Sequence, residues 1–266
     1  MAVFVSASDE NAGENQRGDF FFGGWLAPEE DWSRFFAPAW QERVLDGPPS
    51  IPYLHMTEMR SRKWRAEHGL SELDADDRID EAITLIDTMA SLYPIGIDVH
   101  AGHFRDELRE QKVVVSSGGA KNLEPDYICF VGYAYLVLKY LERFHPEAEK
   151  VDFVVERNGD ITKHIQEFHS HLAADLESLG EPSLVKLVGE LIPAGKERIP
   201  LQAADVLCSH TGRARQHGTM DINDIRRYRK LIRRRATRIP LTKEMISQIK
   251  QAFLQRATDN RMRIGP

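Results

Sequence analysis

Cysteine is scarce in this sequence, with two residues, Cys129 and Cys208, in a chain of 266. Both lie in apolar stretches, where a small buried thiol is the usual interpretation. A chain of this length with 42% apolar residues can build a stable core without disulfides. We therefore expect a reduced protein without a disulfide framework.

Long uncharged apolar runs are also missing. Residues 125–144 approach the length of a membrane span, yet they include Asp126, Lys139, Glu142 and Arg143, whereas a span needs about 18 nearly uncharged residues. The N-terminus does not show the basic segment and apolar run of a secretory signal. We therefore predict a cytoplasmic protein without membrane contact, and we interpret 125–144 as a buried helix.

Several catalytic signatures are absent from the sequence as well. There is no phosphate-cradling Gly-rich loop ending in Lys-Ser or Lys-Thr, no Gly-x-Ser-x-Gly elbow and no Cys-x-x-Cys pair. These absences argue against a P-loop nucleotide hydrolase, an esterase of the nucleophile-elbow type and a zinc finger.

Charge is unevenly distributed along the chain. Residues 206–266 contain 15 Lys and Arg but 4 Asp and Glu, whereas residues 1–205 contain 20 basic and 37 acidic residues. Such a division favours a basic C-terminal surface that binds a polyanion. The alternative is that the basic tail docks on the acidic body of the same chain.

What the sequence does contain is an alternation of strand-like and helix-like segments. Strands are predicted at 3–9, 19–26, 52–59, 94–102, 150–156 and 183–193, and helices at 32–45, 74–93, 125–144, 160–172 and 200–216. Gly23 and Gly24 suggest a bulge or a close backbone approach, and 116–122 a loop. This order predicts one α/β domain over 1–218, a mixed β-sheet flanked by helices, with a basic helical extension over 219–266.

Two adjacent carboxylates, Asp9 and Glu10, end the first predicted strand after the apolar Val3-Phe4-Val5. Unpaired carboxylates are costly to desolvate, and two together repel each other unless a cation lies between them and others. Mg²⁺ and Mn²⁺ are the ions that prefer oxygen ligands. Further acids at predicted strand ends or in a helix behind a strand are Glu58, Glu156 and Asp205.

Taken together, four motifs resemble the DUF3800 family of bacterial proteins, which is grouped with the ribonuclease H-like folds. They are the strand ending in Asp9-Glu10, His55-x-x-Glu58, the strand ending in Glu156, and Leu201-Gln202-Ala203-Ala204-Asp205. The resemblance spans about residues 3–213 and implies a ribonuclease H-like mixed sheet. It implies that Asp9, Glu156 and Asp205 bind Mg²⁺ or Mn²⁺, with Glu10, Glu58 and Gln202 near the metal.

The activity that this resemblance implies is nuclease chemistry on DNA or RNA. In that superfamily two metal ions activate water and stabilise the departing oxygen during phosphodiester cleavage. The sequence departs from the family pattern at two places. The usual Asp-Glu-Ser-Gly is here Asp9-Glu10-Asn11-Ala12-Gly13, which lacks the hydroxyl, and Glu156 stands where Asp is usual.

Each acid also has a structural alternative. Asp9 can cap a turn, and Asp205 can be a solvated acid in the first turn of a helix. Glu156 can pair with Arg157 or with a neighbouring helix, and Glu58 with Arg60, Arg62 or Lys63, which follow it.

Two histidines are further candidates near the metal. His55 begins the His-x-x-Glu motif, and His210 follows Asp205 by five positions. His210 is a candidate proton donor to a scissile phosphate, and its alternative is an ordinary surface histidine.

The tail carries seven basic residues within 11 positions, which are Arg226, Arg227, Arg229, Lys230, Arg233, Arg234 and Arg235. Such a cluster predicts contact with nucleic-acid phosphates, without sequence readout. Thr242 can cap a last helix whose apolar side covers either the body or a second copy of the chain, as in a homodimer. A catalytically silent nucleic-acid-binding or protein-interaction module is the alternative to an enzyme.

Overall fold

The computed structural model of the chain describes residues 2–12, 20–100, 102–103, 112–114, 120–122, 125–157, 159–178, 180–215, 220–233 and 237–247. Six strands in these ranges form one mixed sheet. They are β1 (Ala2–Ala12), β2 (Phe20–Pro28), β3 (Tyr93–Val99), β6 (Ala148–Glu156), β7 (Val188–Ala194) and β8 (Thr237–Leu241). Their order across the sheet is β7-β6-β1-β2-β3-β8. A separate two-stranded sheet pairs β4 (Lys112–Val114) with β5 (Ala120–Asn122).

Strand direction determines at which end of the sheet the carboxyl ends of the strands lie. β1 is parallel to β6, β6 to β7 and β3 to β8, whereas β2 is antiparallel to both β1 and β3. Five strands therefore run the same way, and their carboxyl ends lie at one edge. In open sheets of this kind, that edge is where ligands bind.

Helices cover both faces of the sheet. Residues 31–45 are helical throughout, with π-helical Asp31–Phe36 and Gln41–Leu45 around α1 (Ala37–Trp40). The others are α2 (Met56–Arg60), α3 (Arg62–Glu67), α4 (Glu72–Thr88), α5 (Pro125–Phe144), α6 (Gly159–Ser178), α7 (Pro182–Val185), α8 (Ile199–Arg215) and α9 (Ile222–Ile232). No helix among the described residues is long and apolar enough to cross a membrane.

Alternate residues of β1 belong to different cores, as the period of a strand requires. Phe4 packs with α5 and α6 on one face, whereas Val5 and Ala7 pack with α1, α4 and α8 on the other. Both cysteines are buried and neither forms a disulfide, as expected from the sequence.

The predicted close backbone approach is present at Gly24. A Cβ atom added there would lie 1.8 Å from the carbonyl oxygen of Ala7, so β1 and β2 can pair at this point only with glycine. The opposing pair of residues in the register is Ser8 and Gly24.

The tail is more closely joined to the sheet than a helical extension would be. Besides α9 it contains β8, which pairs with β3 at the edge of the main sheet. Helical residues 243–247 follow, with Thr242 Oγ1 accepting from the Met245 backbone N–H at 3.3 Å. Ile246 is fully buried in the core of its own chain and Met245 packs against it, so the described part of this apolar side covers the body. The rest of the predicted last helix, from residue 248 onwards, lies outside the described residues.

Two strand predictions need correction. Residues 52–59 contain the helix α2 instead of a strand, and 183–193 divides into α7 and the later β7. Residues 120–122 of the predicted loop form β5, while 116–119 lie outside the described residues. Short apolar runs do not distinguish strand from helix by periodicity, which explains the first two errors.

Candidate metal centre

Three of the predicted acids come together at the carboxyl edge of the sheet. Asp9 is near the end of β1, Glu156 is the last residue of β6, and Asp205 lies in the second turn of α8. All three line one cavity, with Leu54, His55, Lys196, Leu201 and Gln202 as its other lining residues. The cavity has a volume of about 20 Å³, which is enough for one water or small ion.

The register of β1 explains why Asp9 and Glu156 are neighbours. Parallel pairing of β1 with β6 reaches Ser8 opposite Val155, so the next residues of the two strands are the two acids. Asp9 follows Ala7 on the face covered by α8, and Glu156 follows Val154 on the same face.

Glu10 does not join this cluster. The pairing of β1 with β2 continues to Ala12, so Asp9 and Glu10 are both within the strand rather than at its end. Successive side chains of a strand point to opposite faces, and Glu10 therefore lies on the face opposite Asp9. The predicted catalytic role of Glu10 beside Asp9 conflicts with this geometry.

Asp205 is held in place by the first residue of α2. Its Oδ2 atom accepts a hydrogen bond of 2.6 Å from the Met56 backbone N–H. The side chain is partly buried, unlike that of a solvated acid in a first helical turn. The turn that begins α2 thus fixes one oxygen of Asp205.

Gln202 connects three segments around the cavity. Its Oε1 accepts from Trp40 Nε1 at 2.8 Å and from the Leu54 backbone N–H at 3.0 Å. Its Nε2 donates to the Lys196 carbonyl oxygen at 3.0 Å. The amide is buried, its oxygen accepts two hydrogen bonds and its nitrogen donates one, so Gln202 positions the walls of the site.

Helix α8 is joined to the sheet directly behind the acids. Trp25 Nε1 donates to the Ala203 carbonyl oxygen at 2.9 Å. The Cys208 Sγ atom lies 3.2 Å from the Asp9 carbonyl oxygen and 3.3 Å from that of Gly23. These contacts tie the helix that carries Asp205 to the strands that carry Asp9 and its partner.

Crowding of the acids changes their protonation. Burial raises the pKa of Asp9 well above its usual range, and the Asp205 and Glu156 carboxylates raise it further. Burial also raises the pKa of Asp205, although the charge of His55 and the hydrogen bond from Met56 oppose this. Such repulsion is what a bound cation would relieve.

A polar wall stands beside the three acids. Lys196 Nζ donates to Glu58 Oε1 at 3.2 Å and lies 3.5 Å from His55 Nδ1. The His55 Nδ1 to Glu58 Oε2 distance is 3.8 Å. His55 lines the cavity, as predicted, whereas Glu58 stands behind it as the partner of Lys196.

His210 is not part of the cavity. It is fully buried between α8 and α9, so the alternative of a surface histidine is wrong. Its Nδ1 lies 2.8 Å from the Val206 carbonyl oxygen, and its Nε2 lies 3.8 Å from Asp224 Oδ1. Burial lowers its pKa to about 4, so at neutral pH it is not a proton donor in the way the sequence suggested.

The donor set fits a hard divalent ion better than zinc. The three acids offer carboxylate oxygens alone, which suit Mg²⁺ or Mn²⁺. No three His, Cys, Asp or Glu side chains in the described ranges are arranged to hold a metal as they stand. Mg²⁺ commonly takes one or two carboxylates and completes its sphere with waters and substrate phosphates, so two of these acids would be sufficient.

The basic cluster is partly occupied by acids of the same chain. Arg227 is buried and donates to Asp80 Oδ1 at 2.8 Å and to Asp76 Oδ1 at 3.0 Å. Arg226 also reaches Asp80, and Arg233 reaches another α4 carboxylate, that of Asp87. These contacts support the alternative in which the tail docks on the acidic body.

Other members of the cluster face solvent or are not described. Arg229 is exposed and Lys230 is partly exposed, while Arg226 and Arg233 keep most of their side chains accessible despite their ion pairs. Arg234 and Arg235 lie outside the described residues.

Sequence reasoning missed the most informative cation of the site, Lys196. A signal existed, because Lys196 follows the predicted strand 183–193 and so belongs at the same edge as Glu156. Arg60, one of the basic residues that follow Glu58, donates to Ser209 Oγ at 2.7 Å. Nothing in the sequence pattern indicates that contact.

Three comparisons with known proteins found no match to this chain. The chain matches no model of a protein family, and no curated protein or solved structure matches it either.

Proposed function

We propose that this chain is a divalent-metal-dependent nuclease with a ribonuclease H-like fold, acting on phosphodiesters of DNA or RNA. The observation that carries the proposal is the shared cavity of Asp9, Glu156 and Asp205 at the carboxyl edge of a mixed sheet. A divalent cation would relieve the repulsion among these three acids, and their carboxylate oxygens are ligands that Mg²⁺ and Mn²⁺ prefer. The DUF3800 resemblance rests on the same residues.

The fold is compatible with this proposal. Strands β1, β2 and β3 form an antiparallel meander, and β6 and β7 extend it in parallel on the β1 side. Acids on β1, β6 and a helix packed across them are what the ribonuclease H-like resemblance implies.

Each residue of the cavity has a distinct task in this proposal. Asp9, Glu156 and Asp205 would hold Mg²⁺ or Mn²⁺, which lowers the pKa of a water and stabilises charge on the leaving oxygen. Met56 and Gln202 fix the orientation of Asp205 and of the cavity walls. The exposed arginines of α9 would retain the nucleic-acid backbone by phosphate contacts.

Metal binding can be measured without knowing the substrate. We expect Mn²⁺ titrated into the wild-type protein by calorimetry to bind, and the Asp205→Asn variant to lose at least one site. The matched control is Asp77→Asn, which removes an exposed carboxylate of α4 and should leave binding unchanged.

Cleavage is then assayed on single- and double-stranded DNA and RNA with Mn²⁺. The proposal expects product from wild type and Asp77→Asn and none from Asp9→Asn. Equal Mn²⁺ binding by wild type and Asp205→Asn would remove its basis. Wild-type cleavage that persists in Asp9→Asn would point to a contaminating nuclease.

A further inference from the structure

A single lysine stands among the acids that line the cavity. Lys196 lies in the loop between β7 and α8 and lines the cavity. Both its backbone carbonyl and its side-chain ammonium form hydrogen bonds within the protein. Its carbonyl oxygen accepts from Gln202 Nε2 at 3.0 Å, and its ammonium donates to Glu58 Oε1 at 3.2 Å. The position of the charge is therefore fixed by the protein.

The ammonium keeps room for a ligand. It has three N–H donors, and its polar contacts within the described residues are those with Glu58 and with His55 Nδ1 at 3.5 Å. The Tyr53 ring lies beneath it at 5.9 Å. Since 35% of the side chain remains exposed, an anion in the cavity can reach the remaining donor.

Stability alone does not account for this arrangement. The Lys196–Glu58 pair is partly solvated on both sides, and pairs of that kind contribute little to stability. Its location is more informative, because Lys196 and the three acids share one small space.

Charge balance indicates what the lysine is for. One divalent ion neutralises only part of the charge of Asp9, Glu156 and Asp205, so an incoming phosphodiester would still meet net negative charge. The Lys196 ammonium lines the cavity whereas its partner Glu58 does not, so the positive charge lies nearer to an incoming phosphate and reduces that repulsion. It also offers a directed, charge-assisted hydrogen bond.

We propose that Lys196 is a phosphate-binding residue whose ammonium contacts a non-bridging oxygen of the scissile phosphodiester. Glu58 and Tyr53 hold the ammonium in place for that contact. The inference rests on the proposed function, since the phosphate enters only beside a metal-loaded acid cluster.

The test uses thymidine 5′-monophosphate, titrated by calorimetry into the full-length protein loaded with Mn²⁺. This small monoester carries one phosphate and therefore reports on a single phosphate site. We expect Lys196→Met to weaken its binding about 10-fold, the usual effect of losing a hydrogen bond to a charged group. Lys196→Arg should retain most of the affinity.

Two further variants make the comparison specific. Lys186→Met removes an exposed lysine at the end of α7 and should bind the nucleotide like wild type. Lys196→Gln serves as the second neutral variant, and thermal melting confirms that each variant is folded. Mn²⁺ itself should bind Lys196→Met at least as tightly as wild type, because a neighbouring like charge is removed.

The outcomes separate this inference from the proposed function. Equal nucleotide affinity in wild type, Lys196→Met and Lys196→Gln, or no nucleotide binding to Mn²⁺-loaded wild type, would overturn the role of Lys196 alone. Absence of Mn²⁺ binding to wild type would overturn the metal centre and, with it, this role.

Discussion

At Asp9 the stability of the folded chain conflicts with the proposed metal binding. Burial and its acidic neighbours raise its pKa, so the charged form that a metal needs is the form that the folded protein disfavours. Residues arranged for a ligand commonly reduce the stability of the ligand-free protein.

Replacing Asp9 with Asn should therefore stabilise the metal-free protein. Between the usual and the raised pKa of Asp9, the folded state holds a proton that the unfolded state has lost, so stability falls as the pH rises. Above that window the wild type bears the full penalty. We expect Asp9→Asn to be more stable than wild type there by about 0.5–2 kcal/mol.

Urea unfolding in EDTA at several pH values measures this difference. It should diminish below the usual aspartate pKa of 3.8, where Asp9 is protonated in both states. Asp77→Asn is again the control and should follow the wild type. A less stable Asp9→Asn across the whole range would show that the carboxylate is structural.

His210 should make the protein sensitive to acid by a different route. Burial first, and the Arg60 charge second, lower its pKa from 6.5 to about 4, against the Val206 carbonyl and Asp224. The unfolded chain takes up a proton near pH 6.5 and the folded chain near pH 4, so stability is lost as the pH falls between them. The loss amounts to roughly 3 kcal/mol.

His210→Asn tests this prediction, since the Asn amide can replace the Nδ1 donor to Val206. The variant should show a flatter stability curve between about pH 6.5 and pH 4 than the wild type. Unfolding curves of both proteins, recorded side by side, give the slopes. Parallel slopes would mean that other groups cause the acid sensitivity.

Helices α4 and α9 are joined by ion pairs between acids of α4 and arginines of α9. Carboxylates along α4 pair with guanidinium groups along α9, and Leu231 of α9 enters the same core as α4. Partial burial raises the pKa of Asp80, but the hydrogen bond and charge of Arg227 lower it overall. This docking therefore weakens in acid, as Asp80 becomes protonated.

Arg227 and Arg229 should separate docking from polyanion binding. Arg227→Gln leaves two carboxylates without their buried partner, and we expect a loss of about 1–3 kcal/mol in stability. Arg229→Gln, an exposed site on the same helix, should change stability by less than about 0.5 kcal/mol.

Binding of a labelled oligonucleotide, followed by fluorescence anisotropy at several salt concentrations, provides the second measurement. Arg229→Gln should lower the salt dependence of binding, as the loss of one phosphate contact does. If neither variant alters that dependence, α9 is a docking helix and not a nucleic-acid surface.

Much of this element-scale structure follows from sequence periodicity, but not all of it. The strand at 150–156 and the helix at 200–216 are predicted because their apolar residues repeat with one clear period. The positions of Glu156, at the end of that strand, and of Asp205, in the second turn of that helix, can therefore be predicted as well. The segment 52–59 is too short for such a pattern, and its helix starts where Met56 bonds to Asp205, a contact 149 residues away.

Glu10 and Lys196 illustrate the same limit within the site. Adjacent acids look equivalent in the sequence, and only the continuation of β1 to Ala12 shows that Asp9 and Glu10 face opposite ways. Lys196 becomes notable only when the loop after β7 is placed beside the ends of β1 and β6.

At the scale of the whole molecule, the tail is part of the sheet. β8 extends the sheet beyond β3, and Leu231, Leu241 and Ile246 are buried in the cores on the two faces. Fully burying each such side chain contributes about 1.5–3 kcal/mol. Together, the contributions of the three side chains are comparable with a large part of the free energy of unfolding of an ordinary domain, about 5–15 kcal/mol.

A chain truncated after residue 218 should therefore fail to fold stably. It loses those buried side chains and exposes the edge of β3, which invites aggregation. Circular dichroism during heating and size-exclusion chromatography measure the effect. A cooperative transition at the wild-type temperature would instead support the predicted boundary between a domain at 1–218 and an independent extension.

The central position of β1 has a consequence for the order of events during synthesis. β1 leaves the ribosome before the other strands and can pair with β2 as soon as β2 emerges, but its other neighbour, β6, lies about 150 residues later in the chain. Contacts so distant in sequence form late. A nascent chain therefore exposes one side of β1 until Glu156 has emerged, and the three acids meet only once Asp205 follows. The proposed metal therefore cannot guide the early steps of folding, because the three acids that would bind it are synthesised at widely separated times.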